Sequence, residues 1–240
     1  MFKNKSVIIF DLDGTLIDSI GIWNEVDKEL IKILSKRHEC DIKDIGKKRD
    51  SVLAKSKSKD IYLEYCDYLR KKYNSLMSSE EILSLRWKIS DKYIKEKVNY
   101  KQEADVLLHL LKNKGFTLAL ATTTTNIQLD AYRNINKNIK QKADIDSIFD
   151  IVLSKEDVKE KKPNPEVHNK ILQVLNVKQS ECLIIEDSLI GVQAGINAKI
   201  DVVAMYDKYS DSDRTEINRL SQYQFNNFGQ VIDRLKDECG

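Results

Sequence analysis

Apolar positions along the chain follow two rhythms. Short runs with no polar alternation occur at Val7–Phe10 (VIIF), Thr117–Ala121 (TLALA), residues 182–185 (CLII) and Asp201–Met205 (DVVAM), with a weaker run at Ile151–Leu153. Runs of this kind predict strands covered on both faces. Between them the spacing turns helical. Residues 103–114 set Ala104, Leu107, Leu108 and Leu111 on one face and stop at Gly115, a residue suited to a helix C-terminus. Residues 165–175 start with Pro165, which favours a first helical turn, and residues 188–198 start with Ser188, an N-cap type. The alternation predicts an α/β domain with a mainly parallel sheet.

One segment departs from this rhythm. From residue 19 to 100 no strand is predicted. Ile22, Val26, Leu30, Ile33 and Leu34 keep helical spacing, as do Ile61, Tyr65, Tyr68 and Leu69, then Ile82, Leu85, Ile89 and Tyr93. The stretch is too long for a loop and reads as an inserted helical domain. The expected division is residues 1–18 with 101–240 as the core and 19–100 as the insertion. Residues 47–59 read as a basic loop with a short helix, 207–214 as a surface loop, and 228–235 as a final helix. Asp18 and Ser19 are expected to cap the first inserted helix.

Composition narrows the classes. Of 240 residues, 41% are hydrophobic and 32% charged, a globular balance. Forty basic and 38 acidic residues give a net charge of +2, so no overall attraction to nucleic acid is expected. Cys40, Cys66, Cys182 and Cys239 are scattered without metal-ligand spacing and read as free thiols. No apolar run reaches membrane-spanning length, and the N-terminus enters a strand too soon for a signal peptide, which points to a cytoplasmic protein.

The candidate chemistry lies just after the strands, where open parallel sheets bind ligands. After the first come Asp11, Asp13 and Gly14; after the second, Thr122, Thr123, Thr124, Thr125 and Asn126; near the weak strand, Lys162; after the next, Glu186 and Asp187. Carboxylates in an oxygen-only setting suit Mg²⁺, which partners with phosphates. A carboxylate approaching a phosphate otherwise meets repulsion of about 4 kcal/mol per charge pair at 4 Å and an effective dielectric of 20. Lys162 would offset it too. Gly14 would let backbone approach an anion. His38, His109 and His168 lack nucleophile partners and read as structural.

The ordered set "DLDGT", "LALATTTT", "KKPNPEV" and "LIIEDSLIGVQAG", spanning residues 7–198, resembles the four motifs of the haloacid dehalogenase-like superfamily. The resemblance implies a Rossmann-like core and a Mg²⁺-dependent phosphatase acting on a small phosphate ester. Asp11 would be the nucleophile and Asp13 the proton shuttle. Asp11, the Asp13 backbone carbonyl and Asp187 would hold the metal, with Glu186 a ligand or its support. Thr122, Thr123 and Lys162 would bind phosphoryl oxygens.

The insertion after the first motif matches the helical cap of β-phosphoglucomutase-like and phosphoglycolate phosphatase-like members. "GKKRDSVL", residues 46–53, is similar to the substrate-contacting loop of β-phosphoglucomutase, which would make Arg49 a substrate contact. Trp23 stands where that mutase carries a histidine, which favours hydrolysis; Trp23 itself reads as packing. Tyr62, Tyr65, Tyr68 and Tyr73 read as core and rim. A mutase-like phosphotransferase is the nearest alternative. A receiver-like signalling domain is a rival of another class, disfavoured because the nucleophile here comes first. A monomer or weak homodimer, with no nucleic-acid or membrane partner, is expected.

Overall fold

A computed structural model of the chain describes residues 1–35, 44–56, 58 and 60–239. His38 and Cys40 lie outside them. In chain order, β1 (Val7–Phe10) leads to four helices, α1 (Ile22–Ser35), α2 (Ile45–Lys55), α3 (Ile61–Lys72) and α4 (Ser79–Glu96). Then come α5 (Ala104–Asn113), β2 (Thr117–Ala121), α6 (Asn126–Asp130) running into a π-turn, α7 (Lys137–Lys142), α8 (Ile145–Ile148) and β3 (Ile151–Leu153). The rest is α9 (Glu166–Leu175), β4 (Cys182–Glu186), α10 (Leu189–Asn197), β5 (Asp201–Met205), α11 (Arg214–Leu220), β6 (Tyr223–Phe225) and α12 (Phe228–Cys239). The chain divides into two compact units, Met1–Ile20 with Val98–Gly240, and Gly21–Lys97.

The first unit is an α/β fold around a six-stranded sheet in the order β3-β2-β1-β4-β5-β6, with every pairing parallel. β1 is central and fully buried, flanked by β2 and β4 in register at Phe10, Leu120 and Ile185. The connection after β3 jumps across β1 to β4, so the strand order reverses beside β1. In open parallel sheets such a reversal opens a crevice at the carboxyl ends of the strands, where ligands bind. α5 buries the predicted face, with Ala104, Leu107, Leu108 and Leu111 all at 0% exposure. β6 is an edge strand with no apolar run behind it; Tyr223 and Phe225 are half-buried and Gln224 exposed, so no hydrophobic pattern marks it.

The second unit is all helix. α1 buries Ile22, Val26, Leu30, Ile31 and Leu34, while Ile33, expected on that face, is 46% exposed. α4 begins with a capping box between Ser78 and Glu81. Residues 45–55 form a helix, α2, where a basic loop with a short helix is expected over 47–59; only Ile45 among them is buried, so no apolar stripe marks its length. At the centre Asp27, fully buried, accepts from Arg86 Nε at 2.7 Å and Arg49 Nη1 at 3.1 Å. The Arg86 guanidinium lies 4.8 Å from the Trp23 ring centroid and 5.7 Å from those of Tyr62, Tyr65 and Trp87. The rings supply the attraction that water would otherwise give a buried cation. Trp23 packs edge-on against Trp87, Tyr65 is buried, and Tyr62 stays partly exposed, a core-and-rim arrangement.

Candidate active site

Asp11 directly follows β1, and its backbone N–H continues the ladder to Ile185 O at 3.0 Å. That bond fixes the residue at the sheet edge beside the end of β4, which carries Glu186 and leads into Asp187. One carboxylate oxygen from each of Asp11, Glu186 and Asp187 lies within 4.8 Å of the others, and all three residues are buried. Lys162, 8% exposed, completes the group: its ammonium donates to Asp11 Oδ1 at 2.8 Å, Glu186 Oε1 at 2.8 Å and Ala121 O at 3.0 Å. Among the described residues Asp11 Oδ2 accepts no hydrogen bond.

Burial sets the electrostatics. It pushes the Asp11 carboxyl well above its usual range; Lys162 pulls the other way, and Glu186 and Asp187 add to the rise. Burial, then Glu186, pushes Asp187 up to about 7. For Lys162 burial works toward a lower value, yet Asp11 and Glu186 outweigh it and hold the ammonium charged.

Glu186 is spent on protein groups. Besides Lys162, it accepts from Asp187 N at 2.8 Å, Ser188 N at 2.9 Å and Ser188 Oγ at 3.0 Å. It thus holds the start of α10, where Ser188 Oγ caps Gly191 N. Gly191 makes room for it: a Cβ there would stand 1.6 Å from Glu186 Oε1. Asp187 is oriented from its other side by Thr15 Oγ1 at 2.6 Å and Ser210 Oγ at 3.4 Å. Gly14, at φ +88°, occupies a backbone region that L side chains resist, and a Cβ there would lie 2.7 Å from Asp187 Oδ2.

Asp13 is held by hydroxyls. Ser19 Oγ donates to Oδ1 at 2.5 Å and Tyr132 OH at 3.3 Å, and Thr124 Oγ1 donates to Oδ2. Ser19 therefore serves Asp13 and does not cap α1, which begins three residues later. Thr122 joins this chain: its hydroxyl donates to Thr124 Oγ1 at 3.0 Å and accepts from Thr124 N at 3.1 Å. Thr123 is exposed.

The structure thus gathers Asp11, Lys162, Glu186 and Asp187 into one cluster and links Asp13 to Thr122 through Thr124. It does not leave Arg49 on a free loop. Arg49 lies on α2 in the helical unit, its Nη1 bonded to Asp27 and to Asn24 at 3.2 Å and its Nε to Asp50 at 3.0 Å. His168 is buried with both ring nitrogens unpartnered among the described residues, and burial, then Lys162, pushes it down to about 3. It is a neutral packing group. Tyr132, Lys101, Asp207 and Ser210 carry no mark of a site in the sequence, Thr15 is given no role there, Ser19 reads there as a helix cap, and Thr124 stands among the residues that follow β2 without a role of its own. A hydroxyl in the first motif's "DGT" was the one available sign, pointing to Thr15. Residues 207–214, read as a surface loop, hold instead a 3₁₀ helix, Lys208–Asp213, capped by Asp207, and Asp207 and Ser210 are buried.

Residues 8–205 match the family model for haloacid dehalogenase-like hydrolases. The chain is 25% identical over 194 residues to the phosphorylated carbohydrates phosphatase of Thermotoga maritima, covering 81% of this chain and 82% of that one. It is 28% identical over 198 residues to a phosphoglycolate phosphatase of Aquifex aeolicus, covering 80% of each. A hydrolase structure from Deinococcus radiodurans R1, with bound phosphate and sodium, superposes with a TM-score of 0.72 at 18% identity, over 98% of this chain and 96% of that one.

Proposed function

The chain belongs to the haloacid dehalogenase-like hydrolases and is a phosphoric monoester hydrolase; from that premise we propose a small phosphate ester, foremost a phosphorylated carbohydrate, as its substrate. The observation that carries the mechanism is Asp11: one oxygen is held by Lys162 at 2.8 Å, while the other accepts nothing among the described residues. Asp11 Oδ2 attacks phosphorus, and the bond from phosphorus to the leaving oxygen breaks. Asp13 gives that oxygen a proton. Water then attacks the phosphorus of the aspartyl phosphate, Asp13 takes its proton, and Asp11 is freed.

The residues present fit a hard divalent cation, because the donors are all oxygens, buried and in excess over the nearby cations. Asp11, the Asp13 backbone carbonyl and Asp187 would hold Mg²⁺, with Glu186 supporting them through Lys162 and α10. When bound, Mg²⁺ would offset the repulsion between Asp11 and a phosphoryl dianion. Lys162 shares that task and steadies charge on the transferring group. Thr122 fixes Thr124, which holds Asp13, and the Thr123 backbone N–H would be offered to phosphoryl oxygens, while the Gly14 N–H is already given to Ile17 O at 3.0 Å. The helical unit is the proposed seat of substrate selection. Arg49 enters it as part of a fixed ion-pair network.

The test is a phosphate-release screen over phosphorylated metabolites, with Mg²⁺ and with chelator. Release from a phosphorylated sugar that chelator stops and Mg²⁺ restores is expected. An isomerised sugar phosphate in place of free phosphate would replace hydrolysis with internal transfer. Release that ignores chelator would remove the metal from the scheme.

A further inference from the structure

Lys101 is a second cation at the site, and the mechanism above does not use it. Residues 16–18 and 99–101 run antiparallel: Lys101 N donates to Leu16 O at 2.8 Å, Asp18 N to Asn99 O at 3.1 Å, and Ile17 bridges Tyr100. This pairing sets Lys101 beside the loop after β1. Its ammonium donates to the Gly14 carbonyl and to Asp207 Oδ2 at 2.5 Å. The Asp207 side chain is 6% exposed, and its Oδ1 accepts from Tyr209 N at 2.7 Å. Ser210, within the same 3₁₀ turn, reaches Asp187. Lys101 is close enough to pull the Asp187 carboxyl down, while Asp207 pushes it up.

The charge count gives this pair a consequence. Counted as ionised, Asp11, Glu186, Asp187 and Asp207 carry four negative charges against the two positive charges of Lys162 and Lys101, so this set keeps a net negative charge that a divalent cation would offset. We propose that Lys101 and Asp207 are affinity-setting positioning residues for the divalent-cation pocket, with the ammonium limiting its negative charge and thereby its hold on Mg²⁺. The proposal rests on the metal reading above. Removing Lys101 leaves Asp207 uncompensated beside Asp187 and makes the pocket more negative. Removing the Asp207 charge leaves an unpaired ammonium and makes it more positive. Removing both returns the count to its starting value. A unit charge acting on a divalent ion at this range, between the limits of water and protein interior, changes affinity about tenfold.

The experiment is calorimetric titration of Mg²⁺ into the chelator-treated full chain, with no substrate present. Lys101→Met is expected to bind Mg²⁺ about tenfold more tightly and Asp207→Asn about tenfold more weakly. The double variant should return near the wild type, and Lys101→Arg, which keeps the charge, should match it. A purely structural role would weaken binding in both single variants and give no recovery in the double. Equal or weaker binding by Lys101→Met would overturn the proposal while leaving the metal reading in place. Absence of binding by the wild type would overturn both.

Discussion

Asp187 offers a quantitative handle on the site. Its carboxyl is pushed from an ordinary 3.8 to about 7, first by burial and then by Glu186. A raised carboxyl binds a proton in the folded state that the unfolded chain has already released. Its contribution to stability is therefore complete below about pH 4 and is lost as pH rises through about 7. At 1.36 kcal/mol per pKa unit, the rise from 3.8 to about 7 is on the order of 4 kcal/mol. Between pH 4.5 and 8 about 3 kcal/mol of this is lost, and a chain of this size shifts by roughly 2–4 °C per kcal/mol, so the metal-free protein should melt about 6–12 °C lower at pH 8 than at pH 4.5 from this group alone. Asp11, shifted in the same direction, deepens the fall. The assay is thermal melting with chelator between pH 4.5 and 8, for the wild type and Asp187→Asn. The amide stays neutral throughout, so its curve should lose much of the slope. Added Mg²⁺ should restore stability to the wild type chiefly above pH 7, where the carboxylate is ionised. Parallel curves for the two proteins would refute the argument.

Two further substitutions separate the site from its scaffold. Gly191→Ala would force Glu186 away from Lys162, since the new Cβ would fall 1.6 Å from Glu186 Oε1. It should cost about 1–3 kcal/mol in stability and lower phosphate release by about tenfold or more; release at the wild-type rate would count against Glu186 as support for Lys162. Arg86→Met leaves Asp27 buried with Arg49 as its remaining cation, and should destabilise the helical unit by about 3–5 kcal/mol, read by hydrogen exchange in α1 and α4. A cost below about 1 kcal/mol would show that apolar packing among the rings, and not the Arg86 cation, holds that centre.

Much of the site was legible in the chain because its parts each follow a buried strand. Asp11 and Glu186 stand out against VIIF and CLII, and a parallel sheet brings such ends together. What escaped depends on contacts that no local pattern records. Ser19, Thr124 and Tyr132 converge on Asp13 from three separate segments, and only the folded chain joins them. Lys101 pairs with Asp207 across 106 positions. In the helical unit, α2 buries one apolar residue and so lacks the stripe that reveals a helix. Arg86 resembles any surface arginine until four aromatic rings and Asp27 enclose it.

The central claim is that Asp11 carries the phosphoryl group covalently. Rapid quenching during turnover of a phosphorylated sugar, borohydride reduction and peptide mass spectrometry test it most directly. Reduction should convert residue 11, and no other, to homoserine, and Asp11→Asn should yield no such product. Steady phosphate release with no reducible acyl phosphate at residue 11 would contradict the account.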